Sequence, residues 1–274
     1  MTIEVLLPSG FRDEHRRIIL AYLDRGHAFT RSDWRQAVLA FDLLKNAAIL
    51  FPGGIRPFPV IFRQQIEDRF ADGFIDRLMN AALIQETSTV LWAEAAQEIM
   101  PALAQAGLYR HDLPATRLLV AYCAYWWRSF AQGYALEIEI QRDLTAEGIR
   151  FEAHDLRKRE ERLTPYDIAV LGYAGDIKTS VYFLQAARTR SVPHDFVITR
   201  VRGRRSARTL VVFMKPDMWQ AIDGDTLLVL LEKIAHTLPH AARIEHQGLQ
   251  LTVIDYAEWK ERVRARQMSE GDAL

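Results

Sequence analysis

Residues 165–178 read Pro165-Tyr166-Asp167-Ile168-Ala169-Val170-Leu171-Gly172-Tyr173-Ala174-Gly175-Asp176-Ile177-Lys178. Asp167 ends a turn and opens an apolar strand. A turn carrying Gly172 follows, and Asp176 and Lys178 then open the next apolar strand two residues apart. Strand side chains alternate faces, so Asp176 and Lys178 point to one side and Ile177 to the other. A hairpin brings Asp167 toward the same place. Two carboxylates and an ammonium on a strand surface are costly unless they hold something, and a divalent metal and a phosphate fit. The plainer reading makes Asp176 and Lys178 a surface ion pair and Asp167 a turn cap. Against it, both strands are apolar around the charges, as in a sheet buried on both faces.

Upstream of this hairpin the sequence has helical periods. Ile18, Ile19, Tyr22 and Leu23 share a face over Asp13 to Leu23, and Ser32-Asp33 is read as the cap of a helix from Trp34 to Leu44. Residues 51–59, FPGGIRPFP, are expected to be a loop. Helices are expected over Phe62 to Ala82, Trp92 to Ala106 and, after a break at Leu113-Pro114, Ala115 to Phe130. The stretch 74–99 also reads as a winged-helix-like unit with a short hairpin between two helices, although such amphipathic stretches are more often core. After residue 130 the period changes to short strands over 148–154, 165–171, 177–184, 195–201, 209–215 and 248–254. Helices are read over Asp223 to Leu238 and Tyr256 to Gln267. The chain therefore divides into a helical part, 1–127, for substrate or partner binding, and an α/β part, 128–274.

Composition narrows the function classes. With 35 Lys+Arg and 35 Asp+Glu the net charge is zero, so no global field draws the chain to nucleic acid or membrane and a basic site must be local. The single cysteine, Cys123, excludes an internal disulfide and a cysteine-based zinc site, and its apolar surroundings suggest a packed core thiol. The N-terminal residues lack the pattern of a secretion signal, and the longest apolar run, Leu118 to Trp127, is shorter than the roughly 20 residues a membrane span needs. A cytoplasmic protein without membrane contact is expected. His236 and His240 stand four apart near His246, but Pro239 breaks the helix and no accompanying glutamate motif suggests zinc. No Gly-Lys-Ser/Thr phosphate loop, GxGxxG or Gly-x-Ser-x-Gly elbow is present.

Residues 133–178 form an ordered set. Gly133, Glu137, Ile140, Leu144 and Gly148 follow at helical intervals. A strand (IRFEAHD) comes next, then Asp167, an eight-residue spacer, Asp176, Lys178 and Thr179-Ser180 leading into VYFL. This set resembles the PD-(D/E)xK nuclease superfamily over about residues 130–215, with the family's Pro-Asp pair spread to Pro165-Tyr166-Asp167. The helical first part lies outside the resemblance, so the expected fold is an N-terminal all-helical domain followed by what the resemblance implies, a restriction-endonuclease-like αβββαβ core, an α+β or α/β fold with a mixed sheet flanked by helices. The resemblance implies Mg2+ (or Mn2+) held by Asp167, Asp176 and the Ile177 carbonyl, with Lys178 orienting or deprotonating the attacking water or stabilising the pentavalent phosphate. Glu137 is expected to complete the acid cluster or help hold a second metal, and Gln141, one turn along, to contact phosphate. Glu139 rivals Glu137 but lies about 200° away on the helix, off the face of Ile140 and Leu144.

A metal-dependent endonuclease acting on nucleic acid, DNA favoured, follows from that resemblance. A homodimer is expected with it, because one site cuts one strand. Arg200, Arg202, Arg204, Arg205 and Arg208 cluster around Gly203 as a local positive patch suited to a phosphate backbone, or else as a solvated hairpin tip. Two alternatives stand beside the enzyme: a catalytically inactive module of the same fold holding nucleic acid or a protein partner, and a helical interaction scaffold with an accessory α/β domain.

Overall fold

A computed structural model of the chain describes residues 3–25, 28–158, 160–161, 164–179, 194–202, 206–222, 224–238, 240–246 and 248–271. The chain forms two compact units, Met1–Gln132 and Gly133–Leu274. Among the described residues no helix is long and apolar enough to cross a membrane.

The first unit contains α1 (Asp13–Arg25), α2 (Arg31–Leu44), α3 (Phe58–Phe62), α4 (Asp68–Met79) and α5 (Ile84–Gln105), with a π turn over Arg63–Glu67. It is not all-helical. β1 (Glu4–Leu6), β2 (Ala48–Phe51) and β3 (Gly54–Pro57) form a three-stranded antiparallel sheet. The expected loop at 51–59 is thus mostly hairpin and helix start. Pro52-Gly53 makes the two-residue turn, Pro57 ends an edge strand, where a missing N–H costs nothing, and Pro59 sits in the first turn of α3. No hairpin interrupts 74–99 either. Thr87, Ser88 and Thr89 lie inside α5, where Thr89 Oγ1 donates to Gln85 O and Ser88 Oγ donates to Ala131 O, so this hydroxyl-bearing run is helical. Thr30, not Ser32, caps α2, in a reciprocal capping box with Asp33. Phe41 stacks on Tyr125 at 4.1 Å in this unit's core, and Cys123 is fully buried, which raises its thiol pKa.

The boundary between the units falls inside α6 (Arg117–Ala146), a 30-residue helix that joins the helix expected to end at Phe130 to the helical intervals read from Gly133 onward. The second unit adds β4 (Glu152–Ala153), β5 (Ile168–Val170), β6 (Tyr173–Lys178), β7 (Phe196–Arg202), β8 (Ala207–Phe213), α7 (Gly224–Thr237), β9 (Ala241–His246), β10 (Leu249–Asp255) and α8 (Tyr256–Gly271). Its seven-stranded mixed sheet has the order β4-β5-β6-β7-β8-β10-β9. β6 and β7 are parallel and every other neighbouring pair is antiparallel. The expected strand over 177–184 is described only as far as Lys178, and Val181–Leu184 lie outside the described residues.

Both faces of this sheet are covered. Ile168, Val170, Ile177, Phe196, Ile198 and Val211 meet Leu136, Ile140 and Leu144 of α6 and Trp259 and Val263 of α8. On the other face Val197, Val201, Leu210, Val212 and Val253 meet Trp219 and Leu227, Leu231 and Ala235 of α7. Period-2 alternation in each strand produces these two layers. It leaves Asp176 and Lys178 on the face opposite Ile177, where a central strand carries two charges into a largely apolar layer.

Candidate active site

β5 and β6 are joined by Leu171-Gly172, whose φ values are 54° and 79°. Two positive φ values in a two-residue loop give the turn whose twist matches the strands it joins. Gly172 takes this conformation freely, whereas Leu171 does so at a cost of about 1–2 kcal/mol. The turn sets the register Val170↔Tyr173, Ala169↔Ala174 and Ile168↔Gly175, so the next level brings Asp167 across from Asp176. Asp167 N donates to Gly175 O at 3.0 Å, and Ile177 N donates to Asp167 Oδ2 at 2.8 Å. Lys178 Nζ donates to Asp176 Oδ1 at 2.5 Å and to Asp167 Oδ2 at 3.3 Å. The three hairpin residues singled out in the sequence are therefore in direct contact.

Two further elements reach this cluster. The parallel pairing of β6 with β7 puts Asp176 level with Val197 and Lys178 level with Thr199, and it brings in His194 just before β7. His194 Nε2 lies 3.3 Å from Asp176 Oδ2, and both side chains are nearly fully buried. Sequence reasoning missed His194. Nothing in the run SVPHDF marks it, and its place opposite Asp176 becomes legible only with the β6–β7 register. From α6, Glu137 is buried and accepts from Gln141 Nε2 at 3.3 Å. Gln141 is thereby engaged with the acid. Glu139, the rival on the same helix, pairs instead with Arg200 of β7.

The electrostatics single out the same residues. Burial, then the hydrogen bond and charge of Asp176, push the Asp167 carboxyl up to about 7. Burial, then the charge of Asp167, holds Glu137 well above the usual carboxylate range. Burial acts on Asp176 in the same direction, but hydrogen bonds from Asp167 and His194 and the charge of Lys178 outweigh it and hold Asp176 low. Lys178 is held above its ordinary value because the two aspartates overcome its burial. Asp176 thus carries the negative charge, while Asp167 and Glu137 resist ionising without a further cation.

Among the described residues no three acid, histidine or cysteine side chains stand together in a metal-holding group. Mg2+ does not need one. It takes oxygen donors, uses one or two carboxylates and keeps several waters. Asp167 and Asp176, facing each other with surplus acid beside them, have the donor chemistry for such an ion, and Ile177 follows Asp176 directly in the chain.

The arginines expected to form one basic patch divide. Arg200 is committed to Glu139. Arg208 is committed to Asp255, with Nη1 donating to Ala235 O at 2.8 Å and Leu238 O at 2.9 Å, so it ties the end of α7 to the start of α8 and is no part of an open patch. Arg202 pairs through its backbone with Ala207. Arg204 and Arg205 lie outside the described residues. No family model, curated protein or solved structure matches the chain.

Proposed function

We propose that the chain is a metal-dependent nuclease of the restriction-endonuclease-like fold, hydrolysing phosphodiester bonds in nucleic acid, with DNA as the favoured substrate. The observation that carries this reading is the convergence of Asp167, Asp176 and Lys178 on one hairpin, with Glu137 electrostatically linked to them. The element order agrees with it: a helix, three antiparallel strands, then a strand parallel to the third. Residues 180–193, between the third and fourth of these strands, lie outside the described residues.

In this reading Asp167 and Asp176 hold Mg2+ or Mn2+, with the Ile177 carbonyl as a further ligand. Such an ion, when bound, would supply Lewis-acid activation of water and charge neutralisation at the phosphate. Lys178 sits within reach of both aspartates and orients the attacking water or stabilises the charge that develops on the phosphate. Glu137 adds negative charge that strengthens the ion's hold, and Gln141 keeps Glu137 in place. A homodimer would cut both strands of a duplex, one per site. The second reading is a non-catalytic module of the same fold. It is favoured by one contact, that Lys178 already neutralises Asp176.

Plasmid, single-stranded DNA and RNA incubated with Mg2+, Mn2+ or EDTA, beside Asp176→Asn and Lys178→Ala proteins, separate the two readings. Metal-dependent cutting abolished in both variants supports the nuclease. Binding without cutting, undiminished in the variants, supports the module.

A further inference from the structure

His194 is a buried polar side chain at the acid cluster for which the proposed chemistry has no task. It is 7 % exposed, and its Nε2 lies 3.3 Å from Asp176 Oδ2. A bare ring nitrogen and a carboxylate oxygen are both acceptors and would repel at that distance, so Nε2 carries the hydrogen and donates it. The segment around it is clamped. His194 O accepts from Nε1 of the fully buried Trp219 at 2.8 Å. On the neighbouring residue, Asp195 N donates to Ala174 O at 2.8 Å, and Asp195 Oδ2 accepts from Ala174 N at 2.9 Å. Met214 N donates to Asp195 O at 3.1 Å. The backbone that carries the imidazole is therefore held to Ala174 of β6, to Met214 and to Trp219.

The consequence falls on Asp176. Its Oδ1 is held by Lys178 and its Oδ2 by His194, so the plane of the carboxylate is set before any ligand arrives. We infer that His194 is a positioning residue whose Nε2–H orients the Asp176 carboxylate for a divalent cation. The inference rests on the nuclease reading of the same site and adds to it a residue outside the motif. Groups that orient a metal's ligands from behind contribute about 10–100-fold in metal affinity.

Mn2+ binding to the full chain, followed by the electron paramagnetic resonance of the free ion, tests this without reference to cutting. His194→Phe and His194→Leu keep an apolar filling and lose the donor, whereas His194→Gln keeps an N–H at similar reach. The expected result is Mn2+ affinity lowered about 10–100-fold in the Phe and Leu proteins and largely retained in the Gln protein. Cleavage by the Leu protein should return toward the wild-type rate at saturating Mn2+. Wild-type affinity in a folded Phe or Leu protein overturns the inference, as does a Gln protein as weak as the Phe protein. A wild-type chain that takes no Mn2+ overturns the nuclease reading itself, an outcome seen before any variant is compared.

Discussion

The Lys178 ammonium lies 2.5 Å from Asp176 Oδ1, although the two residues are i and i+2 neighbours on one strand. Neighbours of this kind share a face but diverge in reach, and the contact forms because Lys178 folds back over the hairpin toward Asp167 as well. The pair is thus the apex of a triangle whose third corner comes from the other strand.

Removing the ammonium should cost both stability and activity. Lys178→Met leaves two facing carboxylates without their counter-charge. A fully buried broken pair costs about 3–5 kcal/mol, and the third of the Lys178 side chain that still meets water reduces this to roughly 1–2 kcal/mol. Cleavage should fall at least about 100-fold, as it does when one charge-stabilising donor is lost. Urea titration of the metal-free protein and plasmid cutting with Mg2+ measure the two effects. A variant as stable as wild type would show that water alone already separates the aspartates.

Neutralising Glu137 should act in opposite directions on the two properties. Glu137→Gln keeps the hydrogen-bonding capacity beside Gln141 and removes a charge that burial and Asp167 disfavour. The metal-free protein should gain on the order of 1 kcal/mol near pH 7.5, while Mg2+-dependent cutting falls. Thermal unfolding with EDTA and a cleavage assay check this pair of outcomes, and a simultaneous loss of both would assign Glu137 a structural role.

The metal-free protein should lose stability as pH rises through the neutral range. The folded-state pKa of Asp167 is raised, so between the ordinary value of 3.8 and about 7 the folded chain binds more protons than the unfolded one. Stability then falls with increasing pH across that window. Glu137 shifts in the same direction. Asp176 shifts the other way, and its contribution is present above its ordinary value and lost only in more acid solution. Melting midpoints in EDTA should therefore drop between pH 5 and pH 7.5, by less in Asp167→Asn. Excess Mg2+ at pH 7.5 should recover the loss by mass action. An identical pH slope in wild type and Asp167→Asn would remove Asp167 as its source.

How far the sequence exposed this architecture differs between the two units. In the second, the alternation around Asp167 and Asp176 and the Gly172 turn give the hairpin directly, and helical phase puts Glu137 on the face of Ile140 and Leu144. In the first, local signals conflict. Prolines at 52, 57 and 59 read as loop because each removes an N–H, yet each occupies a position where none is needed. The Thr87-Ser88-Thr89-Val90 run has strand propensity, but its hydroxyls bond helix carbonyls and the segment is helical. His194 and the pairing of Arg208 with Asp255 depend on contacts between residues far apart in the chain, which no local pattern encodes.

Arg208 should behave as a structural clamp. Its guanidinium holds Asp255 and two carbonyls at the end of α7, and hydrogen bonds to charged groups contribute about 1.5–3 kcal/mol. Arg208→Lys keeps the charge but cannot span three acceptors, so a loss of roughly 1–2 kcal/mol is expected, with nucleic-acid affinity and its salt slope unchanged. A reduced salt slope in a protein of unchanged stability would instead put Arg208 on the substrate.

Gly175 should be the least replaceable residue of the hairpin that bears no chemistry. The Phe196 ring lies over it from the parallel strand, and a methyl added at Gly175 would overlap the ring's edge. Backbone conformation does not require glycine here, since φ is not in the left-handed region. The demand is therefore purely one of space. Gly175→Ala must push Phe196 away or lift β6, at about 1–3 kcal/mol, and either movement disturbs the level at which Asp176 faces Asp167. Activity should fall more than stability explains. Shortening the opposing side chain gives the decisive comparison. Phe196→Leu alone should be destabilising, but combined with Gly175→Ala it should cost less than the sum of the two, with a coupling of about 0.5–3 kcal/mol measured by urea titration. Cutting should recover in the double variant relative to Gly175→Ala. Strict additivity would mean that the ring and the glycine are not in contact, and that β6 is held at this level by its hydrogen bonds alone.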